Sequence, residues 1–285
     1  MNGFSYGSGD ERGAANLIDA AATLRGVAAA GQGRVLPLAV PIVNNDLGAA
    51  ASIRAAPQHF MTRDGGDYAA GLKEKSGYGY SDDVLMLPTH GTTHIDALAH
   101  VWRDGVMYNG FPAASVTSRG AKHCGIDKVG PIVTRGLFVD FGDEIDPDSA
   151  IGPDQLAAKI TALGVEPQPG DALLVRTGWL RAFRAGKAGK HATAGLHHDC
   201  AGWLVRAGIA LVAADNIAVE VIPSRDPVCA MPLHIAVTRD HGVYLAELLD
   251  LEALAAAAPA TVMLVIAPLQ IKGGVGSPIT PVAVF

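Results

Sequence analysis

The eleven residues from His90 to His100 constrain this chain more than any other stretch. They read His-Gly-Thr-Thr-His-Ile-Asp-Ala-Leu-Ala-His and hold three of the ten histidines together with an aspartate. Imidazole and carboxylate bind first-row divalent metals, and imidazole moves protons near neutral pH. No single regular element gathers the four. A straight strand, rising about 3.3 Å per residue, sets His90 and His94 roughly 13 Å apart, beyond the reach of one ion. A continuous helix brings His90 beside His94 and Asp96 beside His100, but turns the two pairs to nearly opposite faces. The backbone must bend, and Gly91, Thr92 and Thr93 supply a flexible residue and two small hydroxyl residues for the turn. The apolar residues 84–87 before it read as a buried strand, and 96–100 after it as the opening of a short helix. The candidate site therefore belongs at a strand-to-loop junction on a rigid scaffold.

His90, His94 and Asp96 make a candidate ligand triad. Two imidazoles and a carboxylate suit zinc, manganese or iron, and leave positions open for water and a carbonyl oxygen, which separates catalytic from closed structural sites. His100 then serves as the proton shuttle. His234 and Glu247 lie far downstream, and alone each has a plain reading, as a packed histidine and a solvated carboxylate. His197-His198-Asp199 has the composition of a ligand cluster, but adjacent residues on regular structure point apart and Asp199 suits a helix N-cap. His241 before Gly242 reads as turn chemistry. His59 reads as a surface-loop residue, with lining of a substrate cavity as the alternative. Asp215-Asn216 ends an apolar strand, where α/β proteins often bind ligands, though a turn is the simpler account.

The pattern His-x-x-x-His-x-Asp-x-x-x-His resembles the signature of the metal-dependent cyclase superfamily, which includes bacterial kynurenine formamidases and isatin hydrolases. Tyr108-Asn109-Gly110, Val175-Arg176-Thr177-Gly178-Trp179 and Gly276-Ser277-Pro278 extend the likeness over most of the chain. Leu98 stands where the formamidases usually carry proline, and with the longer N-terminal arm it leans towards the isatin-hydrolase branch. The resemblance implies an α/β fold of the swivelling β/β/α cyclase type, a mixed sheet flanked by helices, and a homodimer or homotetramer. It implies a divalent cofactor, Mn2+ or Zn2+. It also changes the reading of His234 and Glu247. In the formamidases a histidine and a glutamate at matching positions hold a second metal, so Asp96, His234 and Glu247 form a candidate second set. In isatin hydrolase a single manganese is used, and His234 and Glu247 would then be an acid/base pair beside one ion. On either version His100, His234 and Glu247 are the expected catalytic side chains.

Composition bounds the partners. A net charge of -6 with no basic cluster argues against nucleic acid or an anionic membrane, leaving a small-molecule substrate. Cys124, Cys200 and Cys229 are widely separated, with no Cys-x-x-Cys pair, and fit reduced thiols in a cytoplasmic protein. No signal peptide is evident, and the apolar run at 261–271 is too short to span a bilayer. With 49% hydrophobic residues the 285-residue chain can build one substantial core, read as a single cyclase-like hydrolase domain over 1–285 with an N-terminal helical arm at about 1–33.

Periodicity and punctuation predict helices over 16–30, 153–163, 199–207 and 251–258, and strands over 35–40, 172–177, 209–214, 243–247 and 261–266. This alternation favours a sheet packed against helices. The glycine-rich 273–277 lacks the lysine and the strand-loop-helix context of a phosphate loop, and reads as a turn approaching the site or a subunit interface. There is no Gly-x-Ser-x-Gly elbow and no cysteine nucleophile signature. The expected activity is hydrolysis of a small amide, a cyclic amide such as an isatin-like lactam first and an N-formyl arylamine next. A lactone hydrolase using the same chemistry and a non-catalytic metal-binding protein are the alternatives.

Overall fold

The computed structural model describes residues 4–50, 53–142 and 145–285; residues 1–3 of the expected N-terminal arm lie outside them. Among the described residues nine strands form one sheet, in the spatial order Val35–Pro37, Val282–Val284, Thr261–Ile266, Ile132–Asp140, Ala172–Arg176, Leu211–Ala214, Tyr244–Glu247, His94–Asp96 and Gly276–Pro278. The run from Ile132–Asp140 to Tyr244–Glu247 is parallel, and the pairings on either side of it are antiparallel. Helices flank this mixed sheet, giving the α/β architecture expected from the alternation of elements.

The punctuation explains where the helices lie. Pro153 opens Pro153–Ala162, where its missing N–H costs nothing. The helix expected over 16–30 starts late, at Ala20, because the Asp19 carboxylate accepts from the Ala22 N–H at 2.8 Å and caps it there. The one expected over 199–207 divides into the 3-10 turn His198–Cys200 and the helix Ala201–Arg206. The cap of that turn is the His197 ring, which accepts from the Asp199 N–H, and not the Asp199 side chain.

Side chains alternate along a strand, so each central strand feeds two cores. Leu174, Leu211, Ala213 and Ala246 pack on one face with Ile95 and Leu264. Leu173, Val175, Val212 and Leu245 pack on the other with Leu156 of Pro153–Ala162 and Leu204 of Ala201–Arg206. Each large side chain so buried is worth about 1.5–3 kcal/mol, and the sum holds a rigid platform under polar groups that cost stability to bury.

The expectation of a buried strand over 84–87 is corrected. Residues 82–86 form a strand, but it is exposed along its whole length. Asp82–Met86 pairs with Gln58–Arg63 in a two-stranded ribbon apart from the main sheet, and among the described residues no layer covers either face. An apolar run signals a strand without saying which surface will cover it. No helix among the described residues is long and apolar enough to cross a membrane.

Candidate metal centre

Within 90–100 the regular element is the strand His94–Asp96. Its two-residue period puts His94 and Asp96 on one face and sends Ile95 into the core on the other. Glu247 stands directly across from His94 in the antiparallel register, and Gly276 directly across from Asp96. Opposite residues on paired strands share a face, so Glu247 joins the two ligand candidates. His90 reaches the same place from a turn in which the Gly91 N–H donates to the Pro88 carbonyl at 3.0 Å. The helix expected over 96–100 does not form, because pairing with Gly276 commits Asp96 to extended geometry. A turn follows, with the His100 N–H donating to the Ala97 carbonyl at 2.9 Å, and it lays the His100 ring on that of His90 at 4.1 Å.

Asp96 is central. Its Oδ1 lies 3.2 Å from His90 Nε2 and 3.5 Å from His94 Nε2, and its Oδ2 lies 3.7 Å from His234 Nε2. Glu247 spans the same gap, with Oε2 3.3 Å from His94 Nε2 and Oε1 3.3 Å from His234 Nε2. Donor atoms of His90, Asp96 and His100 lie within 4.8 Å of one another, as do those of Asp96, His234 and Glu247. The fold thus brings all six expected side chains together, five of them buried and His100 half-buried.

Each inward-facing ring is steered by its other nitrogen. His94 Nδ1 lies 2.7 Å from the Thr92 carbonyl, which can only accept, so the proton resides on Nδ1 and the Nε2 lone pair faces Asp96 and Glu247. His90 Nδ1 lies 3.1 Å from the Thr89 hydroxyl, and His234 Nδ1 lies 2.5 Å from Glu220 Oε1. Such partners commonly orient metal-binding histidines. Sequence reasoning missed Glu220, although a lone carboxylate in the apolar run 217–223 is a usable signal, since charge is buried there only with a partner.

The fit to a cation can be tested on the atoms themselves. His90 Nε2 and Asp96 Oδ1 are buried and close, yet neither has an aligned hydrogen-bond partner. Buried polar atoms are rarely left unpaired, and an imidazole nitrogen and a carboxylate oxygen converging in this way fit a shared ion. Gly276 serves the same end, because a Cβ there would overlap His90 Nε2. The donor set of imidazole nitrogens and carboxylate oxygens suits a divalent transition ion.

Electrostatics agree. Burial disfavours charge on Asp96, but the His100, His90 and His94 rings outweigh it and hold the carboxyl well below the usual range. Burial and Asp96 both push Glu247 up, and His234 and His94 more than reverse this. Burial lowers protonation of His94 and His234, yet their carboxylate partners prevail and raise both; a bound cation replaces such protons. His100 differs. Burial pushes it down to about 4, with Asp96 opposing only in part, so its ring is neutral at pH 7 and can accept a proton.

Beside this cluster lies a cavity of about 310 Å³, whose wall includes Gly91, Thr92 and Leu248, next in sequence to His90 and Glu247. Ile42, Leu180 and Phe183 make much of the remainder apolar. His59 is not in this wall; it sits on the exposed ribbon, 2.6 Å from Asp83. His197, His198 and Asp199 form a separate, partly exposed group with the two rings stacked at 4.2 Å. His241 closes the helical segment before Gly242, whose φ of +69° turns the chain. Asp215 accepts from the Thr177 N–H and hydroxyl and from the Gly178 N–H, which ties two central strands together. The 273–277 turn does approach the site, through Gly276.

A structure described as a novel cyclase is 32% identical, covering 98% of this chain and 96% of that one, with a TM-score of 0.90. Isatin hydrolase A from Ralstonia solanacearum is 22% identical over 93% of this chain and 97% of its own, with a TM-score of 0.65, and shares the fold. An isatin hydrolase bound to the product analogue thioisatinate is 20% identical over 93% and 98%, with a TM-score of 0.67. No curated protein matches the sequence. The Cyclase family model matches residues 38–221, the span that carries the His90 to Asp96 cluster and Glu220, and this chain belongs to that family.

Proposed function

We propose that this chain is a metal-dependent hydrolase that cleaves the C–N bond of a small amide, a cyclic isatin-like lactam first and an N-formyl arylamine next. The observation that carries the reading is the convergence of the unpaired His90 Nε2 and Asp96 Oδ1 with His94 beside an apolar cavity. A bound divalent ion, manganese or zinc, supplies Lewis acidity to a carbonyl and lowers the pKa of water towards about 7. His90, His94 and Asp96 hold that ion, and Asp96, His234 and Glu247 are the candidate set for a second.

The side chains do the rest. His100, neutral and stacked on His90, takes the proton of the attacking water at a ring nitrogen and returns it to the leaving nitrogen. Ile42, Leu180 and Phe183 exclude water and hold a flat apolar ring against the Gly91-Thr92 backbone. Among the described wall residues the cation is Arg184, already 2.6 Å from Asp250, so an anionic substrate finds no unpaired partner there. That favours a neutral lactam over a charged amide. A lactone passes through the same tetrahedral geometry and is the second reading. The unpaired thiols suit a reducing compartment, the cytoplasm. Self-association as a homodimer or homotetramer through the exposed ribbon covers Phe60, Val84 and Met86, which share one face of it.

A panel of lactams, N-formyl arylamines, imides and lactones, assayed with protein loaded separately with zinc and manganese, tests the reading. Lactam turnover that a chelator abolishes and metal restores is expected, and His94→Ala should lose both metal and turnover. Full turnover by metal-free protein would overturn it.

A further inference from the structure

Glu220 takes no part in the proton transfer proposed above, yet the fold holds its carboxylate closely in place. Its carboxylate is 1% exposed and accepts three hydrogen bonds, from the Leu233 N–H at 3.1 Å, the His234 N–H at 2.9 Å and His234 Nδ1 at 2.5 Å. The first two are what any acceptor at the start of a helical turn would collect. The third is different, because it fixes a ring.

We propose that Glu220 is the positioning residue for His234, holding its proton on Nδ1 and its Nε2 lone pair on the ion, and thereby setting the affinity of the metal that His234 helps to bind. The inference rests on the metal-dependent reading above. Rotating the ring by half a turn would exchange Nδ1 with Cδ2 and Nε2 with Cε1. A carbon-bound hydrogen would then face the carboxylate, and the lone pair would leave Asp96 and Glu247. The Glu220 contact forbids that rotation, and the negative charge behind the ring makes Nε2 a stronger donor.

The backbone before Glu220 is built for this delivery. Val219 has φ +56°, a conformation that a β-branched residue adopts only under constraint. Two features enforce it. The Asn216 amide donates to the Ala194 carbonyl at 2.5 Å and reaches the Val219 and Glu220 carbonyls at 3.4 and 3.5 Å. Gly195 lacks the Cβ that would overlap the Glu220 backbone. A mere helix cap needs none of this, since the oxygen of a serine or aspartate on relaxed backbone would serve.

The experiment is calorimetric titration of the metal-free full-length protein with Zn2+, comparing wild type, Glu220→Gln and Glu247→Gln, with thermal unfolding of each metal-free form. Glu220→Gln keeps an acceptor oxygen for the helix but loses the charge behind His234. It should weaken one class of ion site by about 10- to 100-fold, and Glu247→Gln should weaken the same class. Unchanged Zn2+ affinity in folded Glu220→Gln would overturn the proposal and leave Glu220 a helix cap. A wild type that binds no ion would instead overturn the metal-dependent reading itself. If Glu220→Gln fails to fold, nitrogen-15 NMR of zinc-loaded wild type decides: a protonated Nδ1 and a zinc-shifted Nε2 on His234 support the proposal, and any other assignment refutes it.

Discussion

Gly276→Ala is the most economical test of the ligand geometry, because it adds one methyl group and removes no donor atom. A Cβ at 276 stands 2.8 Å from His90 Cε1 and 3.1 Å from Cδ2, with Nε2 nearer still, whereas ordinary contact begins near 3.4 Å. The Cε1 atom must therefore withdraw by at least 0.6 Å, the difference between 3.4 and 2.8, and Nε2 by more. The ring has nowhere to go, since His100 stacks on one face at 4.1 Å and His94 meets it edge-on at 5.0 Å. Strand pairing holds the other side, with Gly276 fixed opposite Asp96. The ring must rotate, which takes Nε2 off the line to Asp96. Overpacking of this kind costs about 1–3 kcal/mol, and displacement of roughly an ångström at a reacting centre costs about 10²-fold in rate. Zn2+ titration and turnover of Gly276→Ala should both fall, while Gly31→Ala, with open space around its Cβ, should match wild type. Unaltered Zn2+ affinity in a Gly276→Ala protein of wild-type stability would show that His90 does not bind the ion.

Two further outcomes are expected. His100→Ala should keep near-normal metal content while turnover falls by about 10²- to 10⁴-fold, the usual span for a lost general acid or base; loss of metal would make His100 a ligand, and undiminished turnover would remove its role. Burial raises Asp215 from 3.8 to about 6, against the hydrogen bonds from Thr177 and Gly178. A carboxyl raised on folding contributes stability that is fully present below its unfolded value and lost as pH rises through its folded one, here roughly 3 kcal/mol between about pH 4 and 6. Urea unfolding across that window should show wild type losing ground to Asp215→Asn by about this amount, and a constant difference between the two would refute the assignment.

Residues close in sequence were legible because their chemistry is local. The helix Pro153–Ala162 is announced by its proline and by the leucine and isoleucine it buries, and the doubly buried strands Ala172–Arg176 and Leu211–Ala214 by unbroken apolar runs. The impossibility of gathering His90, His94, Asp96 and His100 on one regular element follows from rise and period alone. Sequence by itself thus determined that the chain bends there, and that the bend joins side chains whose chemistry is able to bind a metal or move a proton.

What lay beyond it was long-range pairing. Whether Asp96 continues as helix or strand depended on Gly276, 180 residues away, whose backbone claims it. Glu247 entered the site by standing across from His94, and Glu220 by a strained turn that meets His234. Asp82–Met86 is exposed because, among the described residues, its ribbon stands apart from the main sheet, which no local pattern encodes. Local sequence fixes dihedral preference and periodicity, because those depend on neighbouring side chains; register and the direction in which a buried carboxylate points depend on which distant strands pair, and only the folded sheet settles that.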